Sequence, residues 1–224
     1  MRKKKIREPP LRQKKNGGKK TTPRQLTKEA EIGMRNTGHR LGASGTKLEN
    51  TLEGLRNSIE KTTDSKFKYW EFDIRESMDG ILFVFHDDTI DADGELRKVS
   101  EMNFEEIINA GNLLEISIPT FEEVVNELEE RTEKVMVEIK EIFSDHARNK
   151  IIETLSQFDN WKLMATPERF EKSFPEPSRS HWNKEIQSSG IELVRVGRHR
   201  VNLFKASESR FGWLMAGPKW LFGL

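Results

Sequence analysis

The sequence contains no cysteine. That absence excludes a disulfide framework, thiolate metal ligation and a cysteine nucleophile, and it fits a cytoplasmic protein. Any metal must then be held by carboxylates, imidazoles, carbonyls or water. Such a ligand set favours a hard divalent cation, magnesium or calcium, with manganese also admissible. Long apolar runs are lacking too: none approaches the roughly 20 residues of a membrane-spanning helix. No apolar stretch follows the basic N-terminal residues, so no secretory signal is expected there. Net charge is almost absent, at a formal +1, and by itself names no partner.

The distribution of charge is informative. The first twenty residues hold ten Lys or Arg against one acid, Glu8, a balance of +9, so the remainder carries about −8. Residues 1–30, with Pro9-Pro10, Gly17-Gly18 and Pro23, read as a disordered basic tail. Such a tail is either merely solvated or a contact for an anionic membrane surface or nucleic acid. The first contact would place the protein at the membrane periphery. Residues 31–224 are expected to form one domain.

Apolar periodicity predicts strands over Met34–His39, Lys68–Ile74, Ile81–His86, Val135–Ile139, Trp161–Ala165, Ile191–Val196 and Trp213–Ala216. Helices are predicted over Leu48–Thr62, Asn103–Ala110, Thr120–Leu128 and Asp145–Phe158. Repeated strand–helix order predicts an α/β fold with a parallel sheet. Periodicity does not choose between an open sheet and a closed barrel.

Side chains alternate along a strand. In Lys68–Ile74, Glu71 and Asp73 share a face with Tyr69, while Trp70, Phe72 and Ile74 share the other. The apolar face should meet helices, leaving two carboxylates together near the strand end. Like charges so placed call for a cation between them. In the same way Val135, Val137 and Ile139 face the helices, and Met136, Glu138 and Lys140 face the acids. In Ile81–His86 the inward set would be Leu82, Val84 and His86. Strand C-terminal ends are where parallel α/β folds place their sites.

A resemblance follows from the motifs. Gly38-His39-Arg40, Glu49-Asn50-Thr51, Glu71-Phe72-Asp73, Asp79-Gly80, His86-Asp87, Ile118-Pro119-Thr120-Phe121-Glu122-Glu123 and Val137-Glu138-Ile139-Lys140 occur in this order. Over about Gly38–Lys140 the chain resembles the glycerophosphodiester phosphodiesterase family, whose barrel is of the phosphatidylinositol-phosphodiesterase-like kind. The resemblance implies a TIM (β/α)8-type barrel. Such barrels typically take about 250 residues, so this one is expected to be shortened or incomplete at the C-terminus. The apolar segment Phe211–Leu224 is expected to supply a buried terminal strand rather than an exposed patch.

The resemblance also implies roles. Glu71, Asp73 and Glu138 match metal ligands, His39 and His86 an acid–base pair, Arg40 and Lys140 phosphate-binding groups, and Glu49 an acid beside the metal. It implies attack by the substrate's own glycerol hydroxyl and a cyclic phosphate later opened by water. Two departures stand out: Leu41 replaces the glycine usual after His-Arg, and Leu48 replaces a proline. His146 is expected on the surface, and His199 in a basic loop, Arg195–Arg200.

The function expected is metal-dependent hydrolysis of a small glycerophosphodiester to glycerol 3-phosphate and an alcohol. The alternatives are phospholipase D-like cleavage of a lysolipid or sphingolipid headgroup, and an inert barrel used as a binding module.

Overall fold

Strand β1 (Trp70–Glu76) is buried along its whole length and organises the molecule. Its odd and even residues meet two environments. Trp70, Phe72 and Ile74 join one large apolar core with Val135, Val137 and Ile139 of β5 (Val135–Glu141) and Leu163 of β6 (Trp161–Ala165). The structure, a computed structural model, describes residues 36–195, and only the backbone of Arg195. The expected tail, the strand Trp213–Ala216, the segment Phe211–Leu224, His199 and the Arg195–Arg200 cluster lie outside the described side chains.

The sheet runs β2-β1-β5-β6-β7, with β2 at Leu82–Val84 and β7 at Glu192–Arg195. The neighbours from β1 to β7 are parallel, as the strand–helix order predicts. Helices make the crossovers: α2 (Phe104–Leu113) and α3 (Phe121–Leu128) before β5, α4 (Asp145–Leu155) before β6, and α5 (Pro167–Ser173) with α6 (Arg179–Ser188) before β7. The α/β class with a parallel sheet is as expected. Among the described residues it has five strands, with β2 and β7 at the edges.

Helix α3 shows how local sequence and packing agree. Thr120 accepts from the Glu123 N–H while the Glu123 carboxylate accepts from the Thr120 N–H, a capping box. Phe121, Val124, Val125 and Leu128 then fall on one buried stripe. Each such side chain contributes about 1.5–3 kcal/mol on burial.

Three expected elements differ. Residues 37–39 of the predicted strand Met34–His39 are turns, although Gly38 and Leu41 still exchange backbone hydrogen bonds with Glu71. The predicted helix Leu48–Thr62 is only α1 (Leu52–Arg56) followed by a 3₁₀ turn, Ile59–Thr63. It begins late because Asn50 sits at φ 59°, outside the helical region, and Thr51 caps α1. Strand β2 is short and antiparallel to β1, because the turn through Gly80 (φ 84°) returns the chain directly.

The sequence reading also passed over a hairpin, β3 (Thr89–Ala92) and β4 (Glu95–Lys98). Asp93 and Gly94 both have positive φ, 59° and 84°, the conformation Asp-Gly favours in two-residue hairpin turns. With α2 it covers a second, smaller core of Phe83, Ile90, Val99, Met102, Ile107 and Ile118. Helices α5 and α6 were missed as well, although Thr166 before Pro167 is a helix-start signal. No helix among the described residues is long and apolar enough to cross a membrane.

Candidate active site

The face of β1 and β5 opposite the core carries the acids. Asp73 and Glu138 are register partners, so both project to the same side of adjacent parallel strands. Glu71 precedes Asp73 by one alternation on β1, and both are 1% exposed. One carboxylate oxygen from each of Glu71, Asp73 and Glu138 lies within 4.8 Å of the other two.

Three carboxylates so close need compensating positive charge. Lys140 supplies part of it, with Nζ 2.9 Å from Asp73 Oδ1 and 2.8 Å from Glu138 Oε1. Asn50 donates to Asp73 Oδ2 at 2.8 Å. Burial pushes the Asp73 carboxyl up, but Lys140, His86 and the Asn50 hydrogen bond together outweigh it and hold it down to about 2. Glu71 fares differently. Burial, then Asp73 and Glu138, push it well above the ordinary carboxylate range. Burial and Asp73 push Glu138 up as well. The Oε1 atom of Glu71 is buried without a hydrogen-bond partner.

His39 and Arg40 reach this face from the loop before α1. Gly38 packs so closely that a Cβ there would lie 2.2 Å from the Tyr69 carbonyl oxygen. Arg40 N donates to Glu71 Oε2 at 2.9 Å, and Leu41 N to the Glu71 carbonyl at 2.8 Å. This tight reversal puts Arg40 at φ 50° and Leu41 at φ 56°, both left-handed. Leu41 thus adopts the conformation that suits glycine, while its side chain is fully buried in the main core. Such strain at non-glycine residues gathers at functional sites.

The Glu49-Asn50-Thr51 run divides its work. Glu49 accepts from Arg40 NH1 at 2.8 Å and from Gly45 N at 2.8 Å, which ties the loop together. Asn50 holds Asp73, and Thr51 caps α1. Arg40 Nε lies 3.8 Å from Asp73 Oδ2 and has no hydrogen-bond partner.

His39 Nε2 lies 3.5 Å from Glu71 Oε2, and its Nδ1 is 2.9 Å from Ser44 Oγ. Burial lowers its pKa to about 4, against the pull of Asp73. His86 arrives by another route than strand alternation. Leu82 and Val84 of β2 point into the main core, and the chain leaves the strand after Val84. Phe85 N donates to the Asp73 carbonyl at 3.0 Å, so the loop after β2, which carries His86, runs beside the acids. Its Nδ1 is 2.7 Å from Asp87 Oδ1. His146 is exposed, as expected.

All eight residues singled out in the sequence therefore gather on or beside one face. Asn50, Asp87 and Ser44 were not named among them. The first two sit inside quoted motifs; nothing in the sequence points to Ser44.

The donor set fits a hard divalent cation: all-oxygen, anionic, and with one buried acceptor, Glu71 Oε1, still unmatched. Glu71, Asp73 and Glu138 would hold it. The buried donor at Arg40 Nε would suit an anionic ligand.

The model of the glycerophosphoryl diester phosphodiesterase family matches residues 39–179. Lysophospholipase D GDPD3 of Mus musculus is 37% identical over 75 residues, 33% of this chain and 21% of that protein, so the match spans about a fifth of that relative. Similar solved structures include glycerophosphodiester phosphodiesterases from Agrobacterium tumefaciens (TM-score 0.47, 18% identity, 72% of this chain and 86% of that one) and Parabacteroides distasonis (TM-score 0.49, 14% identity, 84% and 77%). Another is an Oleispira antarctica phosphodiesterase in complex with the product sn-glycerol-3-phosphate (TM-score 0.43, 21% identity, 70% and 72%).

Proposed function

This chain belongs to the glycerophosphoryl diester phosphodiesterase family, and on that premise we propose that it hydrolyses a glycerophosphodiester to glycerol 3-phosphate and an alcohol. The observation that carries the reading is the triad of buried Glu71 and Asp73 with half-buried Glu138, and two histidines, an arginine and a lysine around it. A divalent cation, magnesium, calcium or manganese, would withdraw charge from a phosphoryl oxygen. Arg40 and Lys140 clamp the phosphate, Arg40 through its unmatched Nε. Glu49 keeps the Arg40 guanidinium turned to the site.

Proton transfers fall to the histidines. His39, lowered to about 4, is neutral at neutral pH and can take a proton from the attacking glycerol hydroxyl. Asp87 accepts from Nδ1–H of His86, and in the imidazolium form the second proton, on Nε2, passes to the leaving oxygen. A water then opens the cyclic phosphate with the roles reversed.

Purified full-length chain on glycerophosphocholine and glycerophosphoethanolamine, with and without each cation, tests this. Release of glycerol 3-phosphate is expected only with metal. If neither diester is cleaved with any of the three cations, the proposal fails.

The match to a lysophospholipase D favours one second reading, cleavage of a lysolipid headgroup. Lysophosphatidylcholine would then release choline faster than glycerophosphocholine does. The basic residues 1–30 are proposed to hold the protein at an anionic membrane surface. Unchanged sedimentation with phosphatidylserine vesicles after deleting residues 1–20 would remove that role.

A further inference from the structure

Beneath the site lies a charged unit that the reaction above leaves unused. The register of β1 against β5 slips after Ile74: Ile74 pairs with Ile139, but Arg75 pairs with Glu141. Lys140 is therefore the extra residue of a β-bulge. A bulge locally breaks the ladder and re-aims the side chain it carries. Here that side chain is the one lying between Asp73 and Glu138.

A carbonyl at a bulge needs a partner from elsewhere. The Lys140 carbonyl accepts from Arg169 NH1 of α5 at 3.2 Å. Arg169 NH2 also donates to Asp88 Oδ2 at 2.9 Å. The other oxygen of Asp88 accepts from Arg75 NH2 at 2.5 Å. Arg75, 1% exposed, donates further to the carbonyls of His86 (2.7 Å) and Phe85 (3.2 Å). Its NH1 faces Glu141 Oε2 at 3.5 Å. An unbroken chain of contacts thus runs from the backbone of His86 through Arg75, Asp88 and Arg169 to the backbone of Lys140.

We propose that Arg75, Asp88 and Arg169 are positioning residues that fix His86 and the bulged Lys140 relative to each other, and so set the gap in which a substrate phosphate sits. None of the three needs to touch substrate. The guanidinium groups matter for their geometry: a fork donates to a carboxylate and a carbonyl together, which a lysine ammonium does not span in the same way. The proposal rests on the phosphodiesterase reading for one of its two readouts.

The test uses Arg169→Gln, Arg169→Lys and Asp88→Asn, at partly exposed side chains (27% and 56%) whose loss leaves the core intact. Two quantities are read for each: turnover of glycerophosphocholine with metal, and affinity for inorganic phosphate by calorimetry. Expected is a 10–100-fold loss of kcat/KM, as for residues that support a site from behind, with weaker phosphate binding and a thermal midpoint near that of the unaltered protein. Asp88→Asn combined with Arg169→Gln should be no worse than the more damaging single change, because both break one unit. Arg169→Lys should stay defective, whereas a purely charge-balancing role would be rescued.

Variants that bind phosphate and turn over as the unaltered protein does would overturn the proposal, as would full rescue by Arg169→Lys. If the unaltered chain cleaves no diester, the functional reading fails while phosphate affinity still decides this one. A chain that neither cleaves nor binds phosphate overturns both.

Discussion

Lys140 Nζ stands 2.9 Å from Asp73 Oδ1, an internal cation placed against the most acidic carboxylate of the site. The same ammonium contacts Glu138 at 2.8 Å. On the proposed reading it would compete with a metal ion for two of the three carboxylates, while giving a bound phosphate a positive partner. Lys140→Gln should tighten manganese binding yet lower kcat/KM by on the order of 10²–10³, the cost of losing one preorganised charge-stabilising donor. Calorimetry with manganese and steady-state kinetics check the two opposite signs. Looser metal binding in the variant would contradict the arrangement.

Glu71 is one of several groups that set the pH dependence of stability. Its folded-state pKa is raised above its unfolded value, so its contribution is full below the ordinary carboxylate range and is lost as pH rises through the raised value. His39, lowered to about 4, acts the other way between about 6.5 and 4, where its contribution falls with falling pH. Asp73, held at about 2, adds stability that is lost only below about 4. At pH 8 the neutral His39 no longer opposes Glu71. Glu71→Gln should therefore raise the metal-free melting temperature at pH 8 and abolish the rise that magnesium or calcium gives. Differential scanning fluorimetry with and without metal reads both effects.

On the proposed mechanism, the low pKa of His39 bears on the acid side of the activity profile. As a neutral base it should keep kcat/KM from falling until pH approaches about 4, rather than near the 6.5 of an unperturbed imidazole. His39→Ala should lower kcat by about 10²–10⁴ and remove that limb. An acid limb near 6.5 that persists at saturating metal, where protonation of Glu71 is outcompeted, would reassign the base.

Leu41 reverses a normal ranking. A buried Leu→Ala change costs about 2–5 kcal/mol, and alanine at φ 56° stays strained. Glycine removes the left-handed penalty, about 1–2 kcal/mol. Leu41→Gly should thus be less destabilising than Leu41→Ala by about 1 kcal/mol, the opposite of the usual helix or strand order. Urea denaturation of both variants measures the difference.

Legibility in the sequence followed the range of the interactions. Alternation over two residues put Glu71 and Asp73 on one face and Trp70, Phe72 and Ile74 on the other, and β1 obeys it. The same rule placed Glu138 and Lys140 opposite Val137 and Ile139. It failed at His86, because β2 ends at Val84 and alternation stops with the strand. It also hid the turn at Asn50, where a hydrogen bond to distant Asp73 holds a left-handed residue inside an otherwise helical pattern.

The sequence by itself determined which side chains share a strand face, which residue types are present to meet a cation and a phosphate, and the absence of thiol chemistry. Those properties depend on composition and on backbone periodicity alone. Only the tertiary structure decided that Lys140 rides a bulge, that Arg75 spans from His86 to Asp88, and that Leu41 bears a glycine-like turn beneath the site. Each of these is set by hydrogen bonds between segments far apart in the chain, whose register no local pattern encodes.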